Sequence, residues 1–176
     1  MSVTTSQHRN IIVQKYGGAT LATPEKIIEV AKRICDLHKS GKNVVVVVSA
    51  MGQTTNQLIE LAQKVSKRPQ LRELDMLLSV GERISMSLLS MALNDLGCKA
   101  ISFTGSQAGI ITDDSHVSAN IVDVKAFRVD EALKENKVVI LAGFQGVSAK
   151  TKEITTLGRG GSDTSAVAME AYLNAE

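Results

Sequence analysis

Apolar positions along this chain fall into two alternating rhythms, short unbroken runs and longer stretches spaced by three or four, as expected of strands that alternate with helices. Residues 44–48 are five consecutive valines. A run so apolar and β-branched reads as a strand buried on both faces, hence a central strand of a parallel sheet. Ile11-Ile12-Val13, Ala100–Phe103, Ile121–Val124 and Val138–Ala142 read as further strands. Between the first two, Thr23 caps a helix with Pro24 at its first position, Ile27, Ala31, Ile34 and Leu37 on one face, and Gly41 as its stop. A helix from Thr54 to about Ser66 carries Leu58, Leu61, Ala62 and Val65, with one of Thr54 and Thr55 as its cap. Helices are also predicted over 71–78, from about Glu82 to Leu96 with Gly97 as the stop, over 129–135, and from about Thr164 to Asn174. The stretch from Phe103 to about Asn120 reads as looped. This order predicts an α/β fold, a three-layer αβα sandwich around a mostly parallel sheet with helices on both faces.

Polar chemistry gathers where the apolar runs stop. At 155–166 the chain packs Gly158, Gly160 and Gly161, Arg159 and several hydroxyls ahead of a helical pattern. Glycines let backbone approach a ligand, Ser162 or Asp163 can cap the helix, and free N–H groups at its start attract anions. Arg159 adds a planar fork suited to a carboxylate or phosphate. The bland alternative is a glycine-rich turn. Lys15-Tyr16-Gly17-Gly18 ends the first strand, where open parallel sheets bind ligands; a structural lysine is the alternative there. Ser49, Thr54 and Thr55 supply hydroxyls after the valines, and capping alone accounts for them. Neither a Walker A loop nor a G-x-G-x-x-G helix opening after the first strand occurs. Glu82, read as a helix start, and Asp163, read as an N-cap, each have a structural explanation in the helix dipole. Met76, Met86 and Met91 read as core filler.

Composition narrows the classes. The 176 residues, 44% hydrophobic, can build one domain core, with residues 1–10 a loose polar tail and 11–176 the folded part. A net charge of +2 and 3% aromatics leave no basic stripe with stacking platforms, so nucleic acid is not an expected partner. The longest purely apolar runs fall short of a membrane helix, no signal peptide is evident, and a cytoplasmic protein is expected. Cys35 and Cys98 form no C-x-x-C pair and read as buried reduced thiols. His8, His38 and His116 lack ligand spacing and read as surface residues.

Taken in order, these segments resemble the aspartokinases, members of the amino-acid-kinase fold. Lys15-Tyr16-Gly17-Gly18 is similar to the family's Lys-aromatic-Gly-Gly signature, and Val48-Ser49-Ala50-Met51-Gly52-Gln53-Thr54-Thr55 to its second loop. Ser79-Val80-Gly81-Glu82-Arg83-Ile84-Ser85 resembles its Gly-Glu-x-x-Ser helix start. The motifs beginning at Ser102, Gly143 and Leu157 then follow in family order over roughly 11–175. Ala19 departs from the family's usual hydroxyl after the glycine pair, although Thr20 lies beside it. Family members continue into a second half that supplies much of the purine and ribose site.

The resemblance implies ATP-dependent phosphorylation, with Mg2+, of the side-chain carboxylate of L-aspartate, at the entry to lysine, threonine and methionine synthesis. It makes Lys15 and Asp163 the catalytic pair, with Gly17, Gly18, Gly160 and Gly161 offering amides to phosphate. Arg159 would hold the substrate α-carboxylate and Glu82 its ammonium, with Ser49, Thr55 and Ser162 completing the pocket. It also implies that these 176 residues turn over poorly alone, and that they self-associate or dock on another aspartokinase chain. The alternative is a non-catalytic remnant that binds an amino acid or a kinase partner.

Overall fold

The valines of 44–48 lie in β2 (Asn43–Val48), and every one of them is buried. Residues 10–175 are described by the computed structural model; the tail expected over 1–10 and His8 fall outside them, apart from Asn10. β2 is flanked by parallel strands β1 (Ile11–Tyr16) and β6 (Val138–Ala142), and β3 (Ala100–Phe103) pairs in parallel with the far side of β6.

Alternation along these strands feeds two cores. Val44, Val46 and Val48, with Val138, Ile140 and Ala142, pack with α1 (Pro24–Lys39) and α3 (Leu71–Asp95). Val45 and Val47, with Val139 and Leu141, pack with α4 (Phe127–Lys134) and α5 (Gly161–Leu173) on the other face. The expected sandwich is therefore present. Its α1 starts as predicted, with Thr23 Oγ1 accepting from Lys26 N–H and Pro24 at the first position, and it stops before Gly41, whose φ is +94°.

A second sheet, in the order β5-β4-β7-β8, places a strand inside the stretch read as looped and mixes parallel with antiparallel pairs. It consists of β4 (Ile110–Thr112), β5 (Ile121–Val124), β7 (Gln145–Ser148) and β8 (Ile154–Thr156). β4 and β7 run parallel, while β5 and β8 are antiparallel to their neighbours. β4, β7 and β8 bury Thr112, Gln145, Ser148, Thr155 and Thr156, so no apolar run marks them, whereas β5 is the strand predicted over Ile121–Val124.

The break expected before Glu82 does not occur, because α3 runs unbroken for 25 residues. Gly81 sits inside it, where an added Cβ would come within 2.8 Å of Ala50 Cβ. That glycine serves a close approach to the loop after β2, and Glu82 is a mid-helix residue remote from the dipole's end. α2 (Thr54–Val65) is preceded by Gln53 as its cap residue, and the Thr54 hydroxyl donates to Met51 O at 2.7 Å. The apolar face predicted for α2 is largely uncovered: Leu61 is 53% and Val65 88% exposed. Met86 is buried, but Met91 is exposed, which removes it from the core.

The cysteines are buried as expected but are not free. Cys35 and Cys98 form a disulfide with Cα atoms 5.8 Å apart, 63 residues apart in sequence. Local spacing could not reveal it, since only the packing of α1 beside the end of α3 brings them together. Among the described residues, α3 alone is long and apolar enough to cross a membrane by length and composition, and half of its most apolar window is buried inside the fold. It is a core helix, packed between the two sheets and α1.

Candidate functional site

The carboxyl ends of β1 and β2 and the loop before α5 converge on one cavity of about 550 Å³. β1 delivers Lys15 one residue before its end. Gly18 follows at a contact that excludes any side chain, since an added Cβ would lie 2.6 Å from Ala50 O, and Gly18 O accepts from Gly52 N–H at 2.9 Å. Ser49 N–H donates to Tyr16 O, so the loops after β1 and β2 are bonded to each other. The third loop arrives from β8. Gly160, at φ +76°, is the residue that caps α5, with no side-chain cap bond. Ser162 and Asp163, expected as caps, are instead the second and third residues of the helix, and both point into contacts with the strand ends.

Lys15 Nζ lies 2.9 Å from Asp163 Oδ1, and the Ser49 and Ser162 hydroxyls lie 2.8 Å apart. Ser85 on α3 donates to Ser49 O at 2.7 Å. Gly17 is beside the lysine: a Cβ there would be 3.7 Å from Nζ. The Gly161 N–H closes a turn on Gly158 O, and Gly160 O accepts from the amides of Asp163 and Thr164.

Glu82 is the electrostatic anomaly. It is 3% exposed, Oε1 accepts from Ala50 N–H at 3.1 Å, and Oε2 has no hydrogen-bond partner among the described residues. Burial pushes its carboxyl up to about 7, against the opposing pull of backbone amides. Arg159 is exposed on the same cavity and makes no hydrogen bond or ion pair among the described residues. The cavity thus joins a buried carboxyl oxygen awaiting a donor and a guanidinium awaiting an acceptor.

Gly18, Ser49, Thr55, Glu82, Arg159, Gly160, Gly161 and Ser162 all line that cavity. Lys15, Gly17 and Asp163 stand outside its lining, joined to it through Ser162 and Gly18. Sequence reasoning missed Val117, Leu157 and Phe144 in the wall, and it missed Asp75 behind them. His116, expected on the surface, is part-buried, with Nδ1 2.6 Å from Asp75 Oδ2. An acid set among Leu71, Leu74 and Leu78 on a helix was the available signal, because carboxylates are almost never fully buried unless paired. Among the described residues, no group of three or more His, Cys, Asp or Glu could hold a metal ion.

The model of the amino acid kinase family matches residues 10–176. Aspartokinases of Mycobacterium tuberculosis and Corynebacterium glutamicum are 58% and 57% identical over 94% of this chain, and the chain spans 39% of the length of each. Among solved structures, aspartate kinase from Synechocystis has a TM-score of 0.77 at 49% identity, covering 94% of this chain and 27% of its own. E. coli aspartokinase III in complex with lysine and aspartate has a TM-score of 0.79 at 25% identity, covering 94% of this chain and 48% of its own. With the fold, the strand-end loops and the sequence in agreement over nearly all of its length, the chain belongs to the amino acid kinase family and is similar to the aspartokinases within it.

Proposed function

We propose that the chain carries the acid-binding part of an aspartokinase site, in which ATP phosphorylates the side-chain carboxylate of L-aspartate. The observation that carries this reading is the joint presence, on one cavity, of buried Glu82 with an unpartnered oxygen and unpaired Arg159, an arrangement that suits an α-amino acid. The substrate ammonium would take Glu82 Oε2, drawing the carboxyl to its ionised form, and the α-carboxylate would take the Arg159 fork. The side-chain carboxylate would then extend past Ser49, Thr55 and Ser162 toward Lys15.

No general base is needed. A side-chain carboxylate with an ordinary pKa of about 3.9 is ionised near neutrality, so the task is to bring two anions together and to neutralise the transferring group. Lys15 would supply that positive charge, with Asp163 holding its ammonium in place and Gly17, Gly18, Gly160 and Gly161 presenting backbone close to phosphate. Magnesium, when it arrives with ATP, would be held mainly by phosphate oxygens, with the exposed carboxylate of Asp163 near that end. A cytoplasmic setting and docking on a further aspartokinase chain belong to the same reading; exposed Leu61, Val65 and Leu71 are where such docking would form.

Calorimetric titration with L-aspartate tests the reading. Binding is expected, with Arg159→Ala weakening it by about 1.5–3 kcal/mol through loss of a charge-assisted contact. Succinate binding as tightly as aspartate would overturn the role of Glu82, and an unchanged affinity in Arg159→Ala would reduce that residue to a loop position. Hydroxylamine trapping of the acyl phosphate, with ATP, magnesium and aspartate, reads out transfer itself.

A further inference from the structure

The loop between β4 and β5 carries a strain that the fold alone does not require. Val117 has φ +67°, the left-handed region, where a β-branched residue is a genuine outlier. Such conformations persist only where the surroundings over-determine them, and they cluster at functional sites. Here the surroundings are one carboxylate. Asp75, fully buried on α3, accepts from Val117 N–H at 3.0 and 3.2 Å, from the Thr156 hydroxyl and from His116 Nδ1. Val117 lines the cavity, and so does Leu157, the neighbour of Thr156. Ala119 N–H donates to Thr156 O at 3.0 Å, which holds the two wall segments to each other.

α3 sets the order of groups along the cavity. Asp75, Leu78, Glu82 and Ser85 follow one another on its buried side; Leu78 and Glu82 line the cavity, and Ser85 bonds the Ser49 carbonyl. Ser49 meets Ser162, next to the Asp163–Lys15 pair. The rise from Asp75 to Ser85 is about 15 Å. Val117 therefore stands at the end remote from Lys15, with Glu82 between them. An apolar wall at that end limits how far an acid can recede from the lysine.

We propose that Val117, held in its left-handed conformation by Asp75, is a specificity-determining wall that admits a four-carbon amino diacid and turns away its longer homologue. This rests on the acid pocket proposed above. Asp75 is a positioning residue, acting only through the loop it clamps.

Titration of the chain and its variants with L-aspartate and L-glutamate provides the test. Val117→Gly removes wall and strain together, whereas Val117→Ala removes most of the wall and keeps the strain. Both are expected to lose about tenfold or more of the preference for aspartate, the usual worth of one methylene in a fitted pocket. Val117→Gly is expected to melt at the same or a higher temperature than the parent, because glycine adopts positive φ freely. A lost preference in a protein at least as stable as the parent cannot come from damage to the fold. Asp75→Ala, which removes the acceptor that the Val117 and Thr156 donors share, is expected to lose preference too; an unchanged ratio there removes Asp75 from the role. The parental ratio retained in both Val117 variants overturns the wall while leaving the acid pocket standing. A parent chain that binds neither acid overturns the pocket and the wall together.

Discussion

The two sheets solve the problem of burial with opposite chemistry. In the parallel sheet, β2 beyond Asn43 and β6 bury aliphatic side chains on both faces, and the polar groups of those residues are backbone amides and carbonyls of the ladders. The mixed sheet buries hydroxyls and an amide: Thr112 and Thr155 pair at 2.6 Å, and Gln145 donates to Ser79 O at 2.9 Å. The first sheet gains by removing apolar surface from water, and it tolerates loss of shape poorly. The second gains by mutual satisfaction, and it tolerates the loss of one partner poorly. The cavity opens where they meet, with rigid strand ends on one side and hydrogen-bonded loops on the other.

Substitutions can separate the two. The largest effect is expected at Ile140, fully buried at the centre of the parallel sheet. Ile140→Ala should cost about 2–5 kcal/mol in a urea titration, with the slope unchanged. A loss under 1 kcal/mol would mean that this core collapses around the gap. The Cys35–Cys98 link braces the same side of the sheet. Closing a loop over a separation of 63 residues is worth about 4 kcal/mol by chain entropy. Melting with and without a reductant should therefore show a clear drop, and identical midpoints would show that the cross-link adds nothing. A reducing compartment would hold that pair open.

Next comes Glu82, at the seam. Its folded pKa of about 7 lies above the ordinary 4.5, so between those values the folded chain holds a proton that the unfolded chain has released. Stability then falls as pH rises through that window, reaching a cost of about 3 kcal/mol above pH 7. Glu82→Gln should stabilise the chain by up to that amount at pH 8 and change little near pH 4.5. Equal effects at both pH values would locate the cost in packing instead. The smallest change is expected in the mixed sheet. Thr155→Val should cost about 0.5–1.5 kcal/mol, because Thr112 loses the Thr155 hydroxyl but still donates to Asp113 O at 2.9 Å, and adding Thr112→Val should cost less than the two single losses together. Additive losses would show that the two hydroxyls act independently.

Legibility followed the same division. The valines of β2, the apolar run of β6 and the Thr23-Pro24 start of α1 were readable because each signal is local. β4, β7 and β8 were not, since Thr, Gln and Gly carry no strand rhythm when their burial depends on a distant partner. The helix reads as starting at about Glu82, directly after Gly81, because no local signal shows why a glycine sits inside a helix. The cause lies 31 residues upstream, in the approach of Ala50. Around the cavity, the glycine loops, Lys15, Glu82 and Arg159 were visible as residue types, but Asp75, His116 and Val117 were not.

The sequence by itself determined the alternation of strands and helices, the central place of β2, the loops at the strand ends and the charged residues they carry, because periodicity and backbone preference act over a few residues. Only the tertiary structure decided that α3 runs unbroken past Glu82, that Cys35 meets Cys98, that a second sheet forms from polar strands, and that Asp75 clamps Val117. Each of those depends on groups far apart in the chain, whose burial and pairing exist only once the two sheets have packed.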